Sequence, residues 1–414
     1  MAFYPNGFIP TSGGQLVPVL LPAPAQPLAA PRTGTVYLHR ASDQWANRPP
    51  EERYWNLDEL FAATKHYQAD ARTIGCPYAE LTVEVTGGHA LDLVVGPYAA
   101  TLSHYAFGQL CADVNAPAEY LRRLPADLAA KNLNHGLLHR TNGANALALL
   151  NGNGDLRVRC VTSDRYARIW NADLVERLLP LGERGWINPP ARAVDDDPRA
   201  RPAALADLLP CSRIKVGEQI GPAGLYASDR DMFAFLVNPN HSITIEGVPL
   251  YRGFFLENSE VGDRALRLTT FLFNVVCGNH IVWDARNVTD LRIVHLGDTA
   301  ETRAFQGVLQ QYADGSTGED AESKTKIEKA MKFIIGPSKD EVLDALFGRR
   351  IATRTVLENA WDAAQLNPAD RFDAPVQSAW GMTMGLTRVS QALPYTADRV
   401  ELDKAAGKVL ALAN

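Results

Sequence analysis

Hydrophobic and polar positions are patterned most informatively between Leu225 and Trp283. There, runs rich in Val, Ile, Phe, Tyr and Thr are cut by Asn-Pro, Glu-Gly, Glu-Asn-Ser and Gly-Asn. Apolar runs of this length bounded by turn residues predict strands. The runs 231–237, 243–256, 265–276 and 280–284 follow one another through short turns, so an antiparallel meander is the simplest topology. Gly253 inside a run predicts a bulge or a close backbone approach. Gly278-Asn279 predicts a two-residue hairpin turn with glycine first.

Upstream the texture is mixed. Leu57 to Tyr67 predicts a helix capped by Asn56. Tyr78–Val85 and Leu91–Val95 bracket Thr86-Gly87-Gly88 as a hairpin. Helices are expected over Ser103–Val114, Ala118–Leu124 (entered through Pro117) and Asp127–Leu138. Asn-Gly-Asn-Gly at 151–154 is a turn before a strand Leu156–Thr162, and a helix starts at Asn171 and runs to Leu179.

From Asp298 the chain reads as helical to its end. Asp298 with Glu301, and Ser338 with Glu341, fit capping boxes. Glu322/Lys326 and Glu328/Lys332 mark a solvated face. Gly348 can close the helix begun at Ser338, and further helices are expected over Ile351–Leu366, Val376–Leu393 and Arg399–Leu412.

These elements divide the chain into a Pro-rich arm (1–34, seven prolines from Pro5 to Pro31), an N-terminal α+β region (35–184), a proline-rich charged linker or long loop (185–212), a strand-rich region (213–297) and a helical region (298–414). The fold class expected is α+β: an antiparallel sheet with packed helices and a helical C-terminal region.

Composition narrows the function classes. With 46% hydrophobic and 21% charged residues in a chain of 414, general disorder is excluded. The five cysteines (Cys76, Cys111, Cys160, Cys211 and Cys277) form no CxxC pair, which fits a reducing cytoplasm. No stretch is long and apolar enough for a membrane span. The net charge of −6 gives no global attraction to phosphate, so nucleic-acid binding would need a local basic face.

Several clusters could carry chemistry. Arg157 and Arg159 sit two apart on the predicted strand, so they share a face, with Val158 and Cys160 turned to the core. With Arg165, Tyr166 and Arg168 they offer phosphate charge beside a stacking ring. The alternative is a solvated face whose arginines pair with Asp155 and Asp164. Arg252, beside Gly253, could reach a phosphate, or could join Glu257, Glu260, Arg264 and Arg267 in mutual ion pairs. Arg350 and Arg354 would align on a helix and could touch a phosphate backbone.

Cys277 and His280 could be half a metal site, but a lone strand cysteine is usually a small buried hydrophobe. His135 and His139 are an i, i+4 pair on a helix that Gly136 weakens, one half of a zinc site. No Walker, GxGxxG or GxSxG motif occurs, and neither cofactor nor metal is expected.

Four passages look like a known family: NRPPEERYWNLDEL (47–60), LSHYAFGQLCADVNAPAEYLRRLPADLAAKNLNHGL (102–137), YASDRDMFAFLVNP with YRGFFLENSEVGDRALRLTTFLFNVVCGNHIVW (226–239, 251–283), and SAWGMTMGLTRVSQALPYTADRVELDKAAGKVL (378–410). Together they resemble the phage/plasmid-like family carrying the nine-three-two domain of unknown function. The resemblance implies a setting in mobile genetic elements, beside DNA-repair, antirestriction and single-strand-binding functions, and brings no catalytic residues.

The expectation that follows is a non-enzymatic, cytoplasmic DNA-binding protein, single-stranded DNA being the partner and annealing in recombination the task. A homo-oligomer is compatible with it. One alternative is an enzyme on nucleic acid or nucleotide, in which His280, Glu257, Asn258 or Asp284 would converge. The other is an interaction protein, such as an antirestriction or anti-defence factor.

Overall fold

The computed structural model describes residues 8–10, 16–18, 48, 50–87, 90–140, 145–152, 156–193, 197–209, 214–274, 279–282, 291–293, 309, 317–393 and 396–413. The fold is α+β, with two six-stranded, largely antiparallel sheets and a helical C-terminal region. No helix of the described residues is long and apolar enough to cross a membrane. The capping box at Asp298 and Glu301, Asp284, and Cys277 with its turn lie outside the described residues.

In the arm, β1 (Phe8–Pro10) pairs with β2 (Leu16–Pro18). Helix α1 (Leu57–Ala69) begins where expected, Asn56 Oδ1 accepting from the Glu59 amide at 2.9 Å. The first large sheet comprises β3 (Ala71–Pro77), β4 (Thr82–Thr86), β5 (Ala90–Val95), β6 (Tyr98–Leu102), β7 (Asn145–Asn151) and β8 (Arg157–Ser163). Their spatial order is β3-β7-β8-β6-β5-β4, with β6 and β8 parallel. Helices α2 (His104–Asp113), α3 (Ala118–Leu121) and α4 (Ala126–Leu138) complete this region, Leu110 and Leu133 packing against Leu93 and Val158 of the sheet.

The β4–β5 hairpin and these helices match the sequence pattern. Strands β3, β6 and β7 do not figure in it. On β3 only Cys76 is buried, so no alternation marks it, and the Ala-Leu-Ala-Leu-Leu of β7 carries no period that separates strand from helix.

Helix α5 (Asn171–Glu183) runs through Pro180 rather than stopping at Leu179, because its last turn buries Leu181. The proline costs one backbone hydrogen bond that burial there offsets. Residues 185–212, expected as a linker or long loop, pack against the body of the protein where they are described. Ile187 exchanges backbone hydrogen bonds with Val237 at 2.9 and 2.8 Å, Trp186 lies 5.2 Å from Phe254, and Asp197 meets Arg53 at 3.1 Å. Strands β9 (Ala191–Arg192), β10 (Arg201–Pro202) and β11 (Gln219–Gly221) form a small sheet there.

The meander expected downstream is present: β12 (Leu225–Ala227), β13 (Met232–Ile245), β14 (Val248–Asn258), β15 (Leu266–Asn274) and β16 (Asn279–Val282) lie in sequence order, and β17 (Leu291–Ile293) pairs with the start of β15. Asn238-Pro239 does not end a strand. β13 absorbs it in an irregularity between Val237 and Ser242, as bulges permit. The β13–β14 turn is Glu246-Gly247, both at positive φ (47° and 78°), the signature of a two-residue hairpin loop. Asn279 pairs with Asn274, and Gly278, the first residue of the expected Gly278-Asn279 turn, lies outside the described residues.

One face of this sheet packs Phe254, Leu256 and Leu268 against Leu60 of α1 and Leu178 of α5. The other stacks Phe235 on Phe271, centroids 4.8 Å apart, across Gly253. A Cβ on Gly253 would collide with the Phe271 ring, which is the close approach the glycine predicted.

The far end of the meander, at Ile243, Leu250 and Leu272, joins the core of the C-terminal helices. These are α6 (Thr317–Lys332), α7 (Lys339–Gly348), α8 (Arg354–Leu366), α9 (Ala379–Gln391) and α10 (Thr396–Leu410). The Ser338 cap forms as expected, and Glu322 meets Lys326 at 3.1 Å.

Candidate functional site

The seam between the two large sheets holds a dense group of buried charges. After β14 the chain turns through Ser259 and Glu260 against β8 and the start of α5. Arg159 Nη2 donates to Glu260 Oε2 at 2.8 Å, and Arg159 Nε to the Asp229 carbonyl at 2.6 Å. The other Glu260 oxygen accepts from the Asn171 amide at 2.8 Å. Trp170, at the cap position of α5, has no capping side chain, so a carboxylate from a distant segment takes that part at the positive end of the helix.

Asn258 Nδ2 donates to Asn171 Oδ1 at 2.7 Å and to the Ile169 carbonyl at 3.0 Å. Tyr166 Oη donates to the Ser259 carbonyl at 3.0 Å, and Arg168 Nη1 to that of Glu260.

A second group adjoins it. Arg48 grips Asp231 in a bidentate pair at 2.9 and 2.7 Å, and Ser228 Oγ donates to Asp231 at 2.9 Å. Burial works against the Asp231 charge, yet Arg48, with Arg264 and Ser228, holds this carboxyl below the usual range. Glu257, 3.5 Å from Arg264 and 3.6 Å from Arg267, moves the other way because burial outweighs its arginines.

Glu52, 3.7 Å from Arg48, is pushed up to about 7, by burial first and then by Asp231, Asp229 and Glu51, against the pull of Arg48. Tyr54 and Tyr67 beside it are raised by burial. Glu52 is thus a carboxyl poised to exchange a proton near neutrality, the property a general acid or base needs.

Because the folded-state value lies above the 4.5 of an ordinary glutamate, the stability from the extra bound proton is fully present below pH 4.5 and is lost as pH rises through about 7. That interval corresponds to up to about 3 kcal/mol. Glu52→Gln should therefore flatten the loss of stability between pH 5 and 8. Urea midpoints measured across that range check it, and identical profiles for the two proteins would exclude this role for Glu52.

The basic strip expected on β8 does not form. A bulge between Leu149 and Leu150 breaks the alternation, so Val158 and Val161 share one core while Cys160 packs with Leu149 and Val261 on the other face. Arg157 stays exposed, but Arg159 is 2% exposed and committed to Glu260, so it cannot reach a phosphate. Tyr166 and Arg168 are half-buried and bonded to the Ser259-Glu260 backbone, which ties the ring to the seam rather than to the exposed Arg157. Arg165 is exposed beyond the far end of β8 from Arg157, so the two cations do not adjoin.

Arg252 is buried within β14. Arg350 and Arg354 do not align on a helix: Arg350 lies in the α7–α8 turn at φ 56°, and Arg354 opens α8 and pairs with Asp340, Asp344 and Glu358. Arg350 is exposed, with no ion pair among the described residues.

Glu257 and Asn258 do lie in the seam, but His280 does not join them. In the strand register Glu257 pairs with Arg267 and the His280 backbone with Phe273, six positions along β15, or about 20 Å at strand rise. Sequence reasoning missed Arg48, Glu52, Asp231 and Asn171, since nothing local distinguishes a buried ion-pair member from a surface charge. No protein-family model, curated protein or solved structure matches this chain.

Proposed function

We propose that the protein is a non-catalytic DNA-binding protein of mobile genetic elements that holds single-stranded DNA on the α7–α8 corner. The observation that carries this reading is Phe347, a large aromatic left 52% exposed, followed by exposed Arg349 and Arg350. A ring for stacking beside cations for phosphate is what single-strand binding uses. The sequence resemblance to the phage/plasmid-like family supports the same reading.

Filter binding of oligodeoxynucleotides across salt tests the proposal. Phe347→Ala should weaken binding by roughly 1–3 kcal/mol with little change in salt slope, because stacking releases no counterions. Arg349→Gln with Arg350→Gln should flatten the slope of log affinity on log salt by about 0.7 for each phosphate no longer neutralised. Absence of single-strand binding at low salt would end the hypothesis. Binding untouched by these substitutions but abolished by Arg157→Gln and Arg165→Gln would move the interface to the first sheet.

A second reading, an enzyme acting on nucleic acid or nucleotide, is favoured by Glu52 alone. It requires that Glu52→Gln abolish turnover while leaving oligonucleotide affinity intact.

A further inference from the structure

The last turn of α4 carries an arrangement for which single-strand binding at the α7–α8 corner has no use. His135 and His139 are both exposed, and their rings lie on one face with centroids 4.3 Å apart. His139 Nδ1 sits 2.8 Å from the His135 carbonyl oxygen. A carbonyl oxygen only accepts, so Nδ1 carries the proton, and Nε2 is the nitrogen of the neutral ring that keeps its lone pair. Metal-binding histidines are oriented in this way, the second ring nitrogen donating to a carbonyl or carboxylate.

The helix backbone is held firmly at this turn. Gly136, which by propensity weakens a helix, is where α4 closes on the end of α2: a Cβ there would overlap Val114. The C-terminal end of a helix also favours positive charge. The neighbouring cations are already engaged. Lys131 lies 3.9 Å from Asp127, while Arg140 stacks 3.5 Å over the Tyr78 ring and meets Asp113 at 3.5 Å.

We propose that His135 and His139 form a two-histidine chelate for a divalent transition-metal ion, its remaining positions open to water or to a donor from outside the chain. Imidazole pairs suit Cu²⁺, Ni²⁺ and Zn²⁺, and do not suit Mg²⁺ or Ca²⁺, which take oxygen donors.

Calorimetric titration of the full chain with CuCl₂, NiCl₂, ZnCl₂ or MgCl₂ at pH 7.5 tests this. One Cu²⁺ should bind per chain, more tightly than Ni²⁺ or Zn²⁺, with no heat from Mg²⁺. His135→Ala or His139→Ala should weaken Cu²⁺ at least tenfold, and the double variant should lose it. At pH 5 binding should fade, since protons compete for the same nitrogens. Thermal melts should show each variant folded, as both side chains are exposed. In NMR spectra Cu²⁺ should broaden the His135 and His139 ring protons before those of His66 or His241. The proposal fails if no ion binds, or if the folded double variant binds Cu²⁺ as the parent does.

Discussion

Replacing Arg159 by alanine is expected to lower the stability of the folded chain by about 3–5 kcal/mol, because it strands the Glu260 carboxylate in a site that water does not reach. Both side chains of the pair are 1% exposed. The loss should appear in urea titrations as a lower midpoint with an unchanged slope. Arg159→Met together with Glu260→Gln should recover part of it, since removing both charges leaves neither uncompensated. If Arg159→Ala unfolds at the parental midpoint, the pair does not hold the two sheets together.

The second large effect belongs to Gly385. On α9 its Cα faces the Ala360 backbone of α8 so closely that a Cβ would be driven into the Ala360 carbonyl oxygen, with the Ala364 methyl at 3.2 Å behind it. The obstruction is backbone in the middle of a helix, so no rotamer change relieves it. Gly385→Ala should cost about 3 kcal/mol or more, although alanine is intrinsically the better helix residue. Gly348→Ala serves as the control, since nothing lies within 4 Å of its Cβ position. A Gly385→Ala protein melting with the parent would show that the helices can part without penalty.

What was legible in the sequence was local. Asn56 and Ser338 cap the helices they announce, Glu246-Gly247 turns the hairpin, and Gly253 lets Phe271 close on the strand. Each outcome depends on residues a few positions away or on one neighbouring strand. The seam was hidden because its pairings are remote. Arg157 and Arg159 alternate like a surface face, and only the bulge opposite Leu149, with Glu260 arriving from another sheet, turns the second of them inward. Arg350 and Arg354 looked aligned because the turn between α7 and α8 leaves no glycine or proline at the residue that takes positive φ.

The seam also sets a constraint on biosynthesis. Arg159 and Glu260 are separated by 101 residues, and Arg48 and Asp231 by 183. A ribosome adding about 5–20 residues per second exposes each arginine for roughly 5–40 seconds before its carboxylate is made. Over that interval neither arginine has the carboxylate it pairs with, so the seam can close only after Glu260 has been made.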